Sequence, residues 1–271
     1  MKDFVRFTFL TSIVFIILRY LFVDVIFWNL SAWAVVPEQR SKNRKRFSEG
    51  AWYMCYFAFT FGVGLYMYHS KYWFWDTRWC LLPSPNPVEP ETIIYFSIQS
   101  GYYVSAFVWW FPESNTRRRH ADAWLVLLHH VITLTLIWYL AIYLGYTRFG
   151  AIAFLLHDCS DIFLEAARLS HFVGLDNIKN TNFIIFAICF CITRIILLPY
   201  ALHSSAGGSF PWHIEPPVDR VYYIGINGLL LSLYLMHWVW FVMILKAAVM
   251  YIASAGEIQD DIRETDEDAE T

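Results

Sequence analysis

Seven long apolar runs, separated by short polar stretches, organise the chain at residues 4–30, 51–70, 92–111, 123–144, 149–170, 183–200 and 221–253. A bilayer core about 30 Å thick takes roughly 20 apolar residues of helix. Each run therefore predicts a membrane-spanning helix, and the pattern predicts an all-α integral membrane protein with about seven transmembrane helices. The first run is too long for a signal peptide and lacks a small-residue cleavage site, so it reads as an anchor. None of the polar stretches is long enough for a folded soluble domain. Three segments are expected: an anchor helix with a basic loop over 1–50, a transmembrane bundle over 51–253, and an acidic tail over 254–271.

Composition sharpens this picture. The 271 residues are 58% hydrophobic, 20% aromatic and only 16% charged, and the mean hydropathy is +0.41. A soluble domain carries about 25% charge, so this chain is too apolar for water. The cysteines Cys55, Cys80, Cys159, Cys189 and Cys191 lie mostly inside apolar runs. They form neither a disulfide framework nor a paired zinc motif. Basic clusters are short and flank apolar runs, which argues against nucleic acid as a partner and for membrane lipids.

The charges also set an orientation. Arg40, Lys42, Arg44, Lys45 and Arg46 follow the first run, Arg117, Arg118 and Arg119 follow the third, and Arg168 and Lys179 flank the fifth. The alternate loops carry only Lys71, Arg78, Arg148 and Arg220. The positive-inside rule then puts the N-terminus on the lumenal side and the acidic C-terminal tail in the cytosol. Pro83, Pro85, Pro87 and Pro90 predict an extended, turn-rich loop on the lumenal side.

Ionisable residues inside a bilayer are expensive and usually mark function. The fourth run holds His129 and His130, the fifth His157, Asp158, Asp161 and Glu165, the sixth Arg194, and the seventh Asn227 and His237. His129 and His130 lie about 10 Å into their helix at 1.5 Å per residue. Asp161 lies at a similar depth on an antiparallel neighbour. The spacing i, i+3, i+7 puts Asp158, Asp161 and Glu165 on one helix face. A short turn at 145–148 is expected to bring that face opposite the His pair. Arg194 is within reach as a charge partner for Glu165 or an Asp.

Such a cluster suits acyl transfer. A neutral imidazole is a general base or a nucleophile, and a carboxylate on its other nitrogen fixes the tautomer. One His can deprotonate an attacking amine or hydroxyl, or carry the acyl group as an acyl-imidazole. Other chemistries fit less well. Membrane di-iron enzymes are marked by HxxxH and HxxHH boxes. The nine histidines (His69, His120, His129, His130, His157, His171, His203, His213 and His237) form neither, so no metal is expected. There is no GxSxG motif, and Cys159 reads as buried packing.

The stretch Asp122-Ala-Trp-Leu-Val-Leu-Leu-His129-His130-Val-Ile-Thr133, then Arg148-Phe-Gly150, then Leu156-His157-Asp158-Cys-Ser-Asp161-Ile-Phe-Leu164-Glu165-Ala-Ala-Arg168, resembles the central motif of ceramide synthases. These belong to the TRAM–LAG–CLN (TLC) domain group. Thr193-Arg194 with Pro199, the run 227–245 with His237-Trp238, and the tail from Asp260 are similar to later family segments. The combination HH…HDxxDxxLE is specific; a lone HH is not. The chain departs from many members in lacking a homeobox-like segment between the first two spans, and in carrying Ala121 and Val126 where a Lys and a Met are common.

The resemblance implies six helices in a TLC bundle around a central cavity, in the endoplasmic-reticulum membrane. It implies transfer of a fatty acyl group from acyl-CoA to the amino group of a sphingoid base, without a cofactor, by a protein that can form homodimers. His129, His130, Asp158 and Asp161 are the expected catalytic set. His157, Glu165, Arg194 and His237 are the expected supporting set. Arg117, Arg118 and Arg119 are candidates for the CoA phosphates, and the 201–220 segment for the cavity floor. Two other readings stay open. Some TLC-type proteins are non-enzymatic lipid sensors or cargo receptors, and the same base could serve a different acceptor, including a hydroxyl.

Overall fold

A computed structural model describes residues 2–80, 88–117, 122–143, 145–205 and 220–253. Seven long rods dominate it. They are α1 (Lys2–Ala34), α2 (Arg40–Tyr68), α3 (Pro90–Arg117), α4 (Ala123–Thr135, continued by the π-helical Leu136–Tyr143), α5 (Thr147–Val173), α6 (Asp176–His203) and α7 (Arg220–Ala253). There is no strand among the described residues. The rods follow the seven apolar runs. By length and apolarity alone, α1, α6 and the Asn227–Ala253 part of α7 are sufficient to cross a bilayer. The protein is a helical membrane protein, and residues such as Phe9, Ile17, Leu231 and Ile252 present apolar surface outward. The tail 254–271, most of the proline-rich loop (81–87) and 206–219 of the expected cavity floor lie outside the described residues.

The expected basic loop before residue 50 is corrected: α2 starts at Arg40. Arg and Lys are good helix formers, and the chain breaks only around Pro37. Arg44 ties the joint together. It donates to Ser31 Oγ at 3.0 Å and to the Trp28 carbonyl at 2.8 Å, and stacks over the Trp28 ring. These contacts pin the first turns of α2 against the last two turns of α1. The basic stretch is thereby part of a rod, and this gives it a fixed position relative to the bundle.

In lipid, apolar burial does not drive helices together, so close packing and hydrogen bonds must do it. The α1–α3 contact follows this rule. Ser97, Gly101 and Ser105 form a small-residue stripe at i, i+4, i+8 on α3, and Thr11 Oγ1 of α1 donates to the Ser97 carbonyl at 2.7 Å. A Cβ on Gly101 would stand 2.9 Å from the Ser12 backbone nitrogen and 2.8 Å from Thr11 Cβ. Gly101→Leu is therefore expected to lift α1 off α3. Overpacking of this kind costs about 1–3 kcal/mol, and a lower thermal unfolding midpoint in detergent, with new protease cuts in α1, would record it. Unchanged midpoint and cuts would refute the close approach.

Elsewhere the interior is filled with aromatic rings. Tyr56 and Tyr102 stack at 3.4 Å between α2 and α3, with Phe15 of α1 edge-on to both. The central rod is α5, which packs against α2 on one side and α6 on another. Its two ends are set by glycines in the left-handed region. Gly145 (φ 78°) lies in the tight α4–α5 turn, and Gly174 (φ 76°) closes α5. The Gly174 and Leu175 amides donate back to the His171 and Ser170 carbonyls, a helix end that glycine alone adopts without strain.

Candidate active site

Four imidazoles from three rods meet inside the bundle. His129 and His130 come from α4, His157 from α5 and His237 from α7. The His129 ring centroid lies 6.1 Å from His130, 6.2 Å from His157 and 6.4 Å from His237. His157 and His237 are closer, with centroids 4.8 Å apart and their Nε2 atoms at 3.0 Å. His237 is wholly buried. His130 packs edge-on to Tyr103 and Phe107 of α3. His129 packs against Trp240 of α7, whose indole Nε1 donates to Asp122 Oδ2 at 3.1 Å. No group of three or more His, Cys, Asp or Glu among the described residues is arranged to hold a metal ion.

The carboxylates do not stand as one row opposite the His pair, and this expectation is corrected. Asp158 is buried toward α3. Gln99 Nε2 donates to its Oδ2 at 3.3 Å, and Gln99 Oε1 in turn accepts from Tyr56 OH at 2.6 Å. Asp161 faces α6 and takes Arg194 Nη2 at 2.5 Å. Glu165 pairs with Arg168 on its own helix at 3.0 Å and lies against α2 near Gly50. One i, i+3 step turns a helix by about 60°, enough to hand successive carboxylates to different neighbours. Arg194 thus pairs with Asp161, not Glu165. It lies in the π-helical stretch Cys191–Leu197, a local widening common at functional sites. It also donates to Ser160 Oγ and the His157 carbonyl, both at 3.1 Å.

Among the described residues, His129 carries no carboxylate on either nitrogen. Its Nε2 is a long 3.5 Å from Thr133 Oγ1, and its buried Nδ1 has no hydrogen-bond partner among them. The triad-like carboxylate contact expected from the sequence is therefore absent at His129.

Two chambers meet at this residue. One, of about 460 Å³, is lined by Lys42, Arg46, Arg168, His171 and Lys179 at its polar end and by His129, His130, Asp161 and Arg194 within. The other, of about 400 Å³, is almost entirely apolar, with Phe96, Phe149, Phe154, Leu198, Leu202 and Leu230 in its wall. It extends toward the α4–α5 turn, where Tyr146 and Gly150 line it, and His157 faces it. Among the described residues, only His129 and Tyr103 line both chambers. Arg118 and Arg119 lie outside the described residues, as does the side chain of Arg117. Among the described residues, the basic end is lined from α2, α5 and α6. Sequence reading missed Tyr103, Trp240 and Gln99. Gln99 is a polar residue within an apolar run and could have been flagged; Tyr103 and Trp240 look like ordinary membrane aromatics.

A bundle of helices around a buried polar cluster, with a basic chamber on one side and an apolar one on the other, defines a helical membrane protein with an internal two-chambered site. A family model described as the TLC domain matches residues 46–246, and the chain belongs to that family. It is 32% identical over 237 residues to the Alternaria stem canker resistance protein 1 of Solanum lycopersicum, covering 85% of this chain and 76% of that protein. It is 27% identical over 240 residues to ceramide synthase 1 LOH3 of Arabidopsis thaliana, with 84% and 76% covered. It is 29% identical over 227 residues to ceramide synthase 5 of Homo sapiens, with 83% and 56% covered.

Proposed function

We propose that the protein is a ceramide synthase of the endoplasmic reticulum, moving a fatty acyl group from acyl-CoA to the amine of a sphingoid base. The observation that carries this reading is His129 at the junction of two chambers of opposite chemistry. Acyl-CoA has the same division. Its phosphates suit the basic end at Lys42, Arg46, Arg168 and Lys179, since such groups bind phosphate strongly. Its chain suits the apolar chamber, where each buried CH₂ contributes about 0.8 kcal/mol. The thioester carbon then falls beside His129.

In this reading the amine attacks the acyl carbon, a C–N bond forms, the C–S bond breaks, and His129 passes the amine proton to the departing thiolate. If His129 first takes the acyl group, the same balance is reached in two steps, with ping-pong kinetics. Asp161 and Arg194 hold α5 and α6 at the site, and Asp158 holds α3. The reading calls for no cofactor. Lys and Arg counts support a cytosolic basic chamber, a lumenal N-terminus and a cytosolic C-terminus.

The decisive experiment gives the purified chain acyl-CoA and sphinganine and follows amide product by mass spectrometry. Amide and free CoA in equal amounts are expected; binding without turnover, or an ester in place of the amide, would overturn the reading. Reversing charge at the chamber mouth should act on binding alone. Lys42→Glu with Arg46→Glu is expected to raise KM for acyl-CoA about tenfold or more, the scale of a lost charge-assisted hydrogen bond, and to leave kcat near wild type. An unchanged KM would remove the CoA phosphates from that end.

A further inference from the structure

Two imidazoles line the apolar chamber, His129 and His157, yet a site that transfers an acyl group needs only one of them to act. The hydrogen bonds distinguish the two. His157 Nδ1 lies 2.6 Å from the Ala153 carbonyl, which can only accept, so Nδ1 carries the proton. In the neutral ring Nε2 is then a lone pair. The group 3.0 Å from it, His237 Nε2, must be the donor. This leaves His237 Nδ1 bare, and it is buried without a hydrogen-bond partner among the described residues. The chain Ala153 carbonyl, His157, His237 thus has one assignment of protons, and it ends with the His157 lone pair occupied. At His129, by contrast, Nδ1 is unpartnered.

We infer that His237 is a positioning residue whose N–H keeps the His157 lone pair occupied, so that water in the acyl chamber meets no second base. The inference rests on the proposed acyl transfer. A free His157 lone pair 6.2 Å, ring to ring, from His129 could accept a proton from water. The resulting oxygen would attack the acyl carbon, the C–S bond would break, and the thiolate would take the proton, giving fatty acid and CoA. Occupying that lone pair suppresses hydrolysis in favour of amide formation. The contact also explains why a wholly buried histidine is kept on α7, where a leucine would pack without an unsatisfied nitrogen.

The test measures partition: free fatty acid against amide, from the same acyl-CoA and sphinganine, for purified variants. His237→Ala opens space for water beside Nε2 and removes its donor; it is expected to raise the ratio of fatty acid to amide at least tenfold. His237→Gln places an amide N–H where the imidazole N–H was, and should return the ratio to within about threefold of wild type. His157→Phe in the His237→Ala background removes the lone pair and should lower the ratio again. A ratio is independent of how much enzyme folds, so a merely structural role for His237 would leave it unchanged. A wild-type ratio in His237→Ala, or an equal rise in the double variant, would overturn the inference. Failure of the wild type to make amide at all would instead strike the proposed function.

Discussion

Purified His129→Ala is expected to lose amide synthesis by about 10²–10⁴-fold, the range seen when a positioned acid–base group is removed. The expectation follows from position. His129 and Tyr103 alone among the described residues line both chambers, and a thioester whose chain fills one and whose head fills the other puts its carbonyl between them. His129 also retains an unpartnered nitrogen, while His157 has committed both of its own. His130 lines the basic chamber alone and should be the less severe loss. The measurement is kcat at saturating acyl-CoA, with intact-protein mass spectrometry for an acyl adduct that vanishes in His129→Ala. Any drop in the thermal midpoint should be small beside the loss of turnover, because His129 gives up one long contact to Thr133 and its ring packing on Trp240. If His129→Ala turned over within threefold of wild type, the assignment of the reacting base would fail.

The second large effect is expected at Arg194, and it is one of folding. Its side chain is 6% exposed and that of Asp161 is 20% exposed. Arg194 reaches Asp161, Ser160 and the His157 carbonyl at once. Arg194→Leu leaves the Asp161 carboxylate without its cation in the interior, while Ser160 Oγ and the His157 carbonyl keep the bond to each other. Removing one partner of a buried pair costs about 3–5 kcal/mol, comparable to much of a domain's net stability. Loss of the monodisperse peak on size exclusion in detergent is the expected readout. Arg194→Lys should not restore it, since an ammonium lacks the planar fork that serves three acceptors in one plane. Asp161→Leu with Arg194→Leu should recover part of the loss, because an apolar pair leaves no stranded charge. A stable, monodisperse Arg194→Leu would show that the pair contributes little to the bundle.

How much of this was legible from residues alone differs from one part of the molecule to another. The seven runs became seven rods because run length measures the span needed, and that is a local property. His129, His130, His157, Asp161, Arg194 and His237 were legible as inward groups because a polar residue in an apolar run has few stable places other than the interior. The partners of these groups were not legible. Helical spacing puts Asp158, Asp161 and Glu165 on one side of α5, but three different helices border that side, and each carboxylate found a different one. The polar pattern also misjudged Arg40–Arg46 as a loop, since basic residues mark both loops and helix ends, and only the bond of Arg44 to the end of α1 distinguishes them here.

By itself the sequence determined that this is a helical membrane protein of the TLC family, and which side chains pay the desolvation cost of the interior. The tertiary structure alone decided which way each rod turns, that Tyr103 and His129 separate two chambers, and that His157 answers to His237 and not to a carboxylate. The physical reason is that lipid is as apolar as a protein core. Apolarity therefore sets length without setting direction, and the facing of each helix is chosen only when small residues, hydrogen bonds and ion pairs from distant parts of the chain come into contact.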